Sequence, residues 1–280
     1  MKQLSFVIVL LAGLTGLFAF STKGDPAVAK NHKNKMVTTQ LKEETVTYTA
    51  GDITMKGFIV YDASVKKQRP AVLVVPEWWG LNEYTKGRAR QLAGLGYIAM
   101  AVDFYGNGQI AENPEMAAKL AMPFYSNPAM AKQRFDAALA KLKTYQEVDT
   151  KNIAAIGYCF GGAQVLNMAR LGEDLKCVVS FHGNLVGVPA DKNLLKAKIL
   201  VCHGGADKFV SMEEVEKFKK QMDSISANYS VKVYAGATHA FTNPDATATG
   251  QKFKMPIEYN AAADAASWKD MKEFFAGILK

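Results

Sequence analysis

The sequence predicts an α/β protein with one open, mostly parallel sheet, helices on both faces and an antiparallel hairpin at its start. Two patterns support this class. Short apolar runs, typical of strands buried on both faces, alternate with longer segments of helical periodicity. Before them, two β-branched segments flank a Gly-Asp turn, which is the pattern of a hairpin.

The hairpin strands are expected at residues 44–48 and 53–61. Apolar runs then predict parallel strands at residues 71–75, 98–102, 153–157, 178–181 and 199–202, and a last strand at 231–234. Helices are expected at residues 83–95, 129–146, 163–171, 211–225 and 261–279. Because crossovers between parallel strands are right-handed, the carboxyl ends of these strands should share one edge of the sheet.

The N-terminus differs from the rest of the chain. Lys2 precedes an apolar run and a polar exit, which is typical of a secretory signal peptide at residues 1–20, cleaved somewhere between residues 20 and 29. The apolar run is also long enough for the alternative of an uncleaved membrane anchor. After cleavage we expect an exported protein, periplasmic or secreted, without stable membrane insertion.

A disordered, lysine-rich tether is predicted at residues 21–42, followed by a single domain at residues 43–280. The net charge is +8, but residues 1–42 hold six lysines against one aspartate, so the domain carries little of the excess. The domain has few arginines and no basic stripe with interleaved aromatic residues. We therefore expect no nucleic-acid partner, and the composition leaves the oligomeric state open.

Chemically informative residues follow the predicted strands directly. In chain order they are Glu77, Asp103, Cys159, His182, Asp207 and His239. Ligands of open α/β sheets bind beside the carboxyl ends of the strands, so these side chains mark the expected site.

Cys159 lies in the segment Gly157-Tyr158-Cys159-Phe160-Gly161-Gly162, between a predicted strand and a predicted helix. This is the pattern of a nucleophile elbow with cysteine in place of serine. Glycines make room in the tight turn, and the helix N-terminus favours a thiolate and a developing oxyanion. We expect Cys159 to be the nucleophile; the alternative is a buried cysteine in a glycine-rich turn.

A catalytic thiol needs a base, and the base needs an orienting group. Asp207 and then His239 follow Cys159 in the chain order that this kind of elbow uses. We predict His239 as the base and Asp207 as its orienting carboxylate. An oxyanion hole is expected from the backbone N–H groups of Phe160 and Trp78.

The remaining cysteines and histidines are assigned structural roles. Cys177 and Cys202 are expected to be buried without forming a disulfide. Cys202 and His203 are adjacent in a strand, point to opposite faces and make a poor metal pair. His182 and His203 are expected to pack around the site, and no metal or organic cofactor is predicted.

Over residues 44–280 the chain resembles the dienelactone hydrolase family, which has the α/β-hydrolase fold. The resemblance rests on the Pro76-Glu77 turn, the cysteine elbow, the Gly-Gly-x-Asp turn, the His-x-Phe loop and the strand end at residues 103–105. It implies a hydrolase that cleaves activated or cyclic esters through a thioester acyl-enzyme. It also implies that Glu77 lies beside the thiol and holds it in a resting state until substrate binds.

The chain departs from this family where dienelactone-type enzymes carry arginines for a substrate carboxylate. It has Asn107 at one such position and no arginine in residues 240–243 at the other. Asparagine cannot reproduce a bidentate arginine–carboxylate pair, so we expect a small neutral ester or lactone as substrate. An aromatic pocket, with residues 106–128 as a cap, is expected from Trp78, Trp79, Tyr105, Phe124 and Tyr125.

Two other functions compete with this interpretation. One is a catalytically idle α/β-hydrolase module that binds a ligand at the cell envelope; the complete set Cys159, Asp207 and His239 disfavours it. The other is a redox role for an exposed thiol, which normally requires a resolving cysteine nearby. Neither Cys177 nor Cys202 is placed for that task.

Overall fold

The computed structural model describes residues 40–280, so the predicted signal peptide and nearly all of the predicted tether lie outside the described residues. Strand β1 (Leu41–Ala50) pairs Leu41 with Asp62 and Lys42 with Tyr61. Strand β1 therefore begins two residues before the predicted domain boundary at residue 43, because Leu41 and Lys42 complete the ladder of the hairpin. Among residues 40–280, none of the helices is long and apolar enough to cross a membrane.

The described chain forms one sheet of eight strands. After β1 these are β2 (Ile53–Asp62), β3 (Arg69–Val75), β4 (Ile98–Ala101), β5 (Val148–Tyr158), β6 (Cys177–Phe181), β7 (Lys198–Gly204) and β8 (Tyr229–Tyr234). Their order across the sheet is β1-β2-β4-β3-β5-β6-β7-β8. Strand β2 is antiparallel to β1 and β4, and every pair from β4 to β8 is parallel.

Helices cover both faces of this sheet. They are α1 (Glu83–Gly94), α2 (Pro114–Ser126), α3 (Pro128–Lys143), α4 (Phe160–Arg170), α5 (Met212–Ser224), α6 (Ala246–Phe253) and α7 (Ala261–Ala276). Helices α1 and α7 pack in the core on one face, and α2 to α5 pack in the core on the other. The predicted α/β-hydrolase fold, with its parallel sheet and N-terminal hairpin, is confirmed.

Strand β3 shows why these strands are apolar throughout. Leu73 and Val75 pack in the core under α2 to α5, and Val72 and Val74 pack in the core under α1 and α7. All four side chains are fully buried. Since each buried aliphatic side chain contributes about 1.5–3 kcal/mol, a strand between two helical layers gains from apolar residues at every position.

Helices α2 and α6 were not predicted as helices. Helix α2 lies within the segment for which the sequence predicts a cap, and it begins where Asn113 Oδ1 accepts a hydrogen bond from the Met116 N–H at 2.9 Å. Helix α6 follows the loop of His239. Both helices border the site described next, so the sheet edge lies between two elements that the strand pattern does not reveal.

Candidate active site

The predicted residues meet at the carboxyl edge of the parallel strands. Glu77 follows β3, Cys159 follows β5 and His239 follows β8, and all three line one cavity of about 170 Å³. Asp207 lies behind His239, after β7. Asp103 is at the same edge, but its carboxylate accepts hydrogen bonds from backbone N–H groups and organises the loop after β4.

The turn at Cys159 is a strained elbow. Cys159 has φ +51° and ψ −114°, a conformation that non-glycine residues rarely adopt and that concentrates at functional sites. A Cβ atom on Gly157 would lie 2.1 Å from the Gly161 oxygen, and one on Gly161 would lie 2.2 Å from the Val75 oxygen. Only glycine fits at these two positions, and the turn projects the Cys159 side chain into the cavity.

His239 and Asp207 form a buried pair. His239 Nδ1 lies 2.8 Å from Asp207 Oδ2, and the other carboxylate oxygen accepts N–H bonds from Phe209 at 2.8 Å and Val210 at 3.0 Å. Burial opposes ionisation of Asp207, but His239 and these N–H donors hold its pKa below the usual range.

The same pair prepares His239 to carry a proton. Burial alone would lower the pKa of His239, but the neighbouring Cys159 sulfur and Asp207 outweigh it and raise the pKa to about 10. Because Asp207 occupies Nδ1, the second ring nitrogen is left free for the thiol of Cys159, which lines the same cavity. This arrangement favours the protonated form of the His239 imidazole.

His182 is hydrogen-bonded to the backbone of the elbow. Its Nδ1 accepts the Cys159 backbone N–H at 3.1 Å, and its Nε2 lies 2.7 Å from Thr242 Oγ1. The Tyr84 hydroxyl lies 2.6 Å from the same Thr242 oxygen. Burial holds the pKa of His182 well below its usual range, so the ring stays neutral and donates from Nε2. His182 thus links the elbow at Cys159 to the loop that carries His239. From the sequence His182 is expected to pack around the site, but the sequence does not reveal these two partners.

Glu77 lies in the cavity wall and is 2% exposed. Asn243 Nδ2 donates a hydrogen bond to Glu77 Oε2 at 2.7 Å, a partner that sequence reasoning missed. Burial raises the pKa of Glu77 to about 7, against the opposing effects of Asn243 and His239. Glu77 can therefore change its charge near neutral pH in the wall of the cavity that Cys159 also lines.

Substituting Glu77 with glutamine should stabilise the protein at high pH. Glu77 has its ordinary pKa when unfolded and a raised pKa when folded, so the buried charge costs stability fully above pH 7 and not at all below about pH 4.5. The rise corresponds to at most roughly 3 kcal/mol. We expect urea unfolding at pH 8.5 to show a more stable Glu77→Gln, with the gain shrinking towards pH 5.

The control for this measurement is Glu83→Gln. Glu83 is exposed on α1, and its hydrogen bond to Lys86 lowers its pKa. Glu83→Gln should therefore bring no gain at pH 8.5. An equal stability of Glu77→Gln and the native protein at both pH values would show that Glu77 is not a buried charge.

Three of the five predicted aromatic residues line the cavity, namely Trp78, Trp79 and Tyr125. Tyr105 and Phe124 do not, and their predicted place in the pocket is wrong. Their rings pack against Phe160 in the core under α2, and the Tyr105 hydroxyl donates to the Trp78 oxygen at 2.8 Å.

The rest of the cavity wall was not predicted from the sequence. It consists of Asn184, Phe209, Val210, Ala240, Met255 and Ile257. Phe209 and Val210 lie two and three residues after Asp207, so their position in the sequence could have indicated that they are near the site. Met255 and Ile257 follow α6, and nothing in the sequence indicates that they are near the site. The wall contains no lysine or arginine, and Asn107, which stands where the resembling family has an arginine, is absent from it.

Two backbone N–H groups are available for an oxyanion. Phe160 is the first residue of α4, and Trp78 is in the loop after β3. Within residues 40–280, neither N–H donates to a protein acceptor. In the same part of the chain, no group of three His, Cys, Asp or Glu side chains could hold a metal ion.

Comparisons with known proteins agree on one family. The model of the dienelactone hydrolase family matches residues 55–279. A relative from Aquifex aeolicus is 29% identical over 242 residues, which cover 84% of this chain and 98% of the relative. Protein usf of Aquifex pyrophilus is 31% identical over 203 residues, which cover 71% and 86% of the two chains.

A solved structure is similar over the same region. It is a dienelactone hydrolase-like promiscuous phosphotriesterase from metagenomic libraries, 34% identical, with a TM-score of 0.81 over 86% of this chain and 99% of that chain. The family match spans most of the sequence and includes every strand of the parallel sheet. The chain therefore belongs to the dienelactone hydrolase family of α/β-hydrolases.

Proposed function

We propose that this protein hydrolyses small, uncharged carboxylic esters or lactones through a thioester on Cys159. One observation supports this most: the elbow cysteine and His239 face the same cavity, and Asp207 is hydrogen-bonded to the far nitrogen of His239. The idle binding module is not favoured, because such a module would have no need of a hydrogen-bonded base beside the thiol. No metal or organic cofactor enters the proposed reaction.

In the first half of the reaction, the Cys159 thiolate attacks the ester carbonyl carbon. The new C–S bond moves negative charge to the carbonyl oxygen, which accepts hydrogen bonds from the Trp78 and Phe160 N–H groups; each such donor typically contributes about 10²–10³ in rate. The intermediate then collapses and the ester C–O bond breaks. His239 gives its proton to the departing alcohol oxygen, leaving a thioester.

In the second half, neutral His239 takes a proton from a water molecule whose oxygen attacks the thioester carbonyl. The same two N–H groups stabilise the second oxyanion. The C–S bond breaks, the acid is released and the thiolate–imidazolium pair returns. Asp207 stabilises the imidazolium through Nδ1 in both halves.

We further propose that Glu77 controls the thiol by its charge. An ionised carboxylate beside the sulfur disfavours the thiolate by repulsion, and a protonated one does not. Its pKa of about 7 makes both forms accessible at neutral pH. This agrees with the resting-state role that the family resemblance implies.

The cavity supports a small and uncharged substrate. Its volume is about 170 Å³, and most of its wall is aromatic or aliphatic, with no cation to neutralise a substrate carboxylate. The name of the Aquifex aeolicus relative provisionally assigns it carboxymethylenebutenolidase activity. The lack of arginine in this cavity makes a neutral ester or lactone the better candidate here.

The decisive experiment traps the acyl-enzyme. We expect p-nitrophenyl acetate and simple lactones to be hydrolysed, and iodoacetamide to abolish turnover. Acid quenching during turnover should leave one acyl group on the peptide that contains Cys159, detected by mass spectrometry. An aryl dialkyl phosphate belongs in the panel because of the similar phosphotriesterase. Ester turnover that survives complete alkylation of Cys159 would falsify the thioester mechanism.

We also propose that the hydrolase acts outside the cytoplasm, either released or held by an uncleaved N-terminal anchor. This rests on the apolar run and lysine-rich segment of residues 1–42. Fractionation of cells that produce the full chain, with N-terminal sequencing of the product, tests it. Recovery of the intact chain in the cytosol would overturn it.

A further inference from the structure

A second cleft adjoins the thiol cavity. It encloses about 410 Å³ and shares Tyr125 and Asn184 with the wall of the thiol cavity, so the two spaces meet at these side chains. Its other walls include Asn167 of α4 and the loop at residues 186–188. None of its residues is charged. The proposed hydrolysis makes no use of this space.

Two carboxamides in the cleft have a defined orientation. The Val186 N–H donates to Asn184 Oδ1 at 2.9 Å, and the Val188 N–H donates to Asn167 Oδ1 at 3.1 Å. Because each oxygen accepts a backbone N–H, each Nδ2 group is left on the other side of its amide.

These Nδ2 groups are free donors. Within residues 40–280 neither has a hydrogen-bond acceptor, yet neither is sealed from solvent. Asn167 as a whole is only 3% exposed, so its accessible Nδ2 atom faces the cleft that the residue lines. A buried amide costs stability unless it is satisfied, which makes this placement informative.

A buried cation lies behind Asn167. Arg170 is 2% exposed and donates to the Leu185 oxygen at 2.8 Å and to Gln221 Oε1 at 3.1 Å. No carboxylate of the described chain forms an ion pair with it. Burial lowers its pKa to about 10, so the guanidinium stays charged at neutral pH. Its positive potential favours an electronegative ligand atom near Asn167.

We propose that this cleft is a second substrate subsite, which binds the oxygen of a carbonyl group at the far end of an ester substrate. The Nδ2 groups of Asn167 and Asn184 donate to that oxygen while the reacting carbonyl lies at Cys159. The inference rests on the proposed esterase function and narrows its substrate class. Esters that carry a second, uncharged carbonyl group are preferred over simple alkanoates of equal length.

The test compares substrates matched in length. The p-nitrophenyl esters of monomethyl succinate, glutarate and adipate are each measured against the corresponding straight-chain alkanoate ester. At the length that reaches Asn167, the native protein should prefer the carbonyl-bearing ester by about 5- to 10-fold in kcat/KM, through a lower KM, as expected for a neutral hydrogen bond.

Asn167→Asp is the informative variant. It keeps an acceptor for the Val188 N–H and replaces the free donor with a carboxylate oxygen, whose charge is partnered by Arg170 Nη1, which already lies 3.5 Å from Asn167 Oδ1. The carboxylate oxygen cannot donate to a substrate carbonyl, so the preference should fall to about one. Ser126→Ala is the matched control in the same cleft. The Ser126 hydroxyl donates to the Met122 or Pro123 oxygen at 3.2 Å and offers the cleft no free donor, so its loss should preserve the preference.

Two further measurements separate the subsite from the hydrolysis. Lack of turnover of p-nitrophenyl acetate overturns the proposed function, whereas occupation of the cleft can be followed without turnover. Dimethyl adipate should slow alkylation of Cys159 by iodoacetamide in the native protein, and less so in Asn167→Asp. If Asn167→Asp does not fold, the half-buried Asn184→Asp replaces it. The same preference in native protein and variants, or no preference at any length, overturns the subsite.

Discussion

Replacing Cys159 with alanine is expected to lower kcat for p-nitrophenyl acetate by on the order of 10³-fold or more, with the fold intact. The variant loses the only group placed at the elbow to form a covalent intermediate, and its methyl side chain keeps the backbone contacts of the turn. Stopped-flow turnover and circular dichroism measure the two effects. Binding of substrate analogues should change little, since the cavity walls remain.

The matched control is Cys177→Ala. Cys177 is fully buried in β6, and burial raises the pKa of its thiol to about 12, so it is not a nucleophile at neutral pH. Turnover of this variant should stay within about twofold of the native value, as for substitutions away from the site. Equal losses in the two variants would point to a general effect of removing a thiol rather than to catalysis at Cys159.

Gly161→Ala should lower both the stability of the protein and its turnover rate far more than an ordinary alanine substitution does. The added Cβ would lie 2.2 Å from the Val75 oxygen and 2.6 Å from the Pro76 oxygen. Both are backbone atoms that no side-chain rotation can move away, so α4 must separate from β3. We expect a loss of about 3 kcal/mol or more in the free energy of unfolding, and about 10²-fold in turnover from the displaced thiol.

Gly87→Ala is its counterpart within helix α1. A Cβ atom at Gly87 meets nothing within 4 Å, so alanine should stabilise the protein by about 0.5–1 kcal/mol through helix propensity. Urea unfolding and turnover are measured on both variants. Native-like behaviour of Gly161→Ala would mean that the elbow can open without harm to the chemistry.

Most of the sheet could be predicted because its strands are buried on both faces. Apolar runs such as residues 71–75 identify such strands without any alignment. The runs mark only the buried parts, however. Strand β5 begins at Val148, five residues before the predicted start. The prediction missed these residues because Thr150 and Lys151 are polar and exposed, so the start of the strand has no apolar run.

The two unpredicted helices show a different limit. Helix α2 contains Pro114 at its start and Pro123 inside, and proline inside a segment is a signal against a helix. Helix α6 is a single short segment with three threonines or glycines, which have low helix propensity. Packing beside the site stabilises both helices, and the Asn113 cap is a local signal that favours α2.

The site residues on strand ends were predictable, and the walls between them were not. Strand order brings Glu77, Cys159 and His239 to one edge, so position in sequence implies position in space. Met255 and Ile257 meet the site through contacts that depend on the whole fold. The predicted place of Tyr105 and Phe124 in the pocket is wrong for the same reason. An aromatic residue close to a site in the sequence can pack in the core behind the cavity wall as well as in the wall itself.

The hydrogen bonds that hold the elbow involve the backbone of residue 159 and not its sulfur. Its N–H donates to the Phe181 oxygen at 3.0 Å and to His182 Nδ1, and glycines make the space around it. The backbone conformation of the turn therefore does not depend on whether the side chain of residue 159 ends in sulfur or in oxygen. During evolution a lineage can exchange sulfur for oxygen here by one amino-acid replacement, with the turn preserved and only the acid–base partners left to adapt.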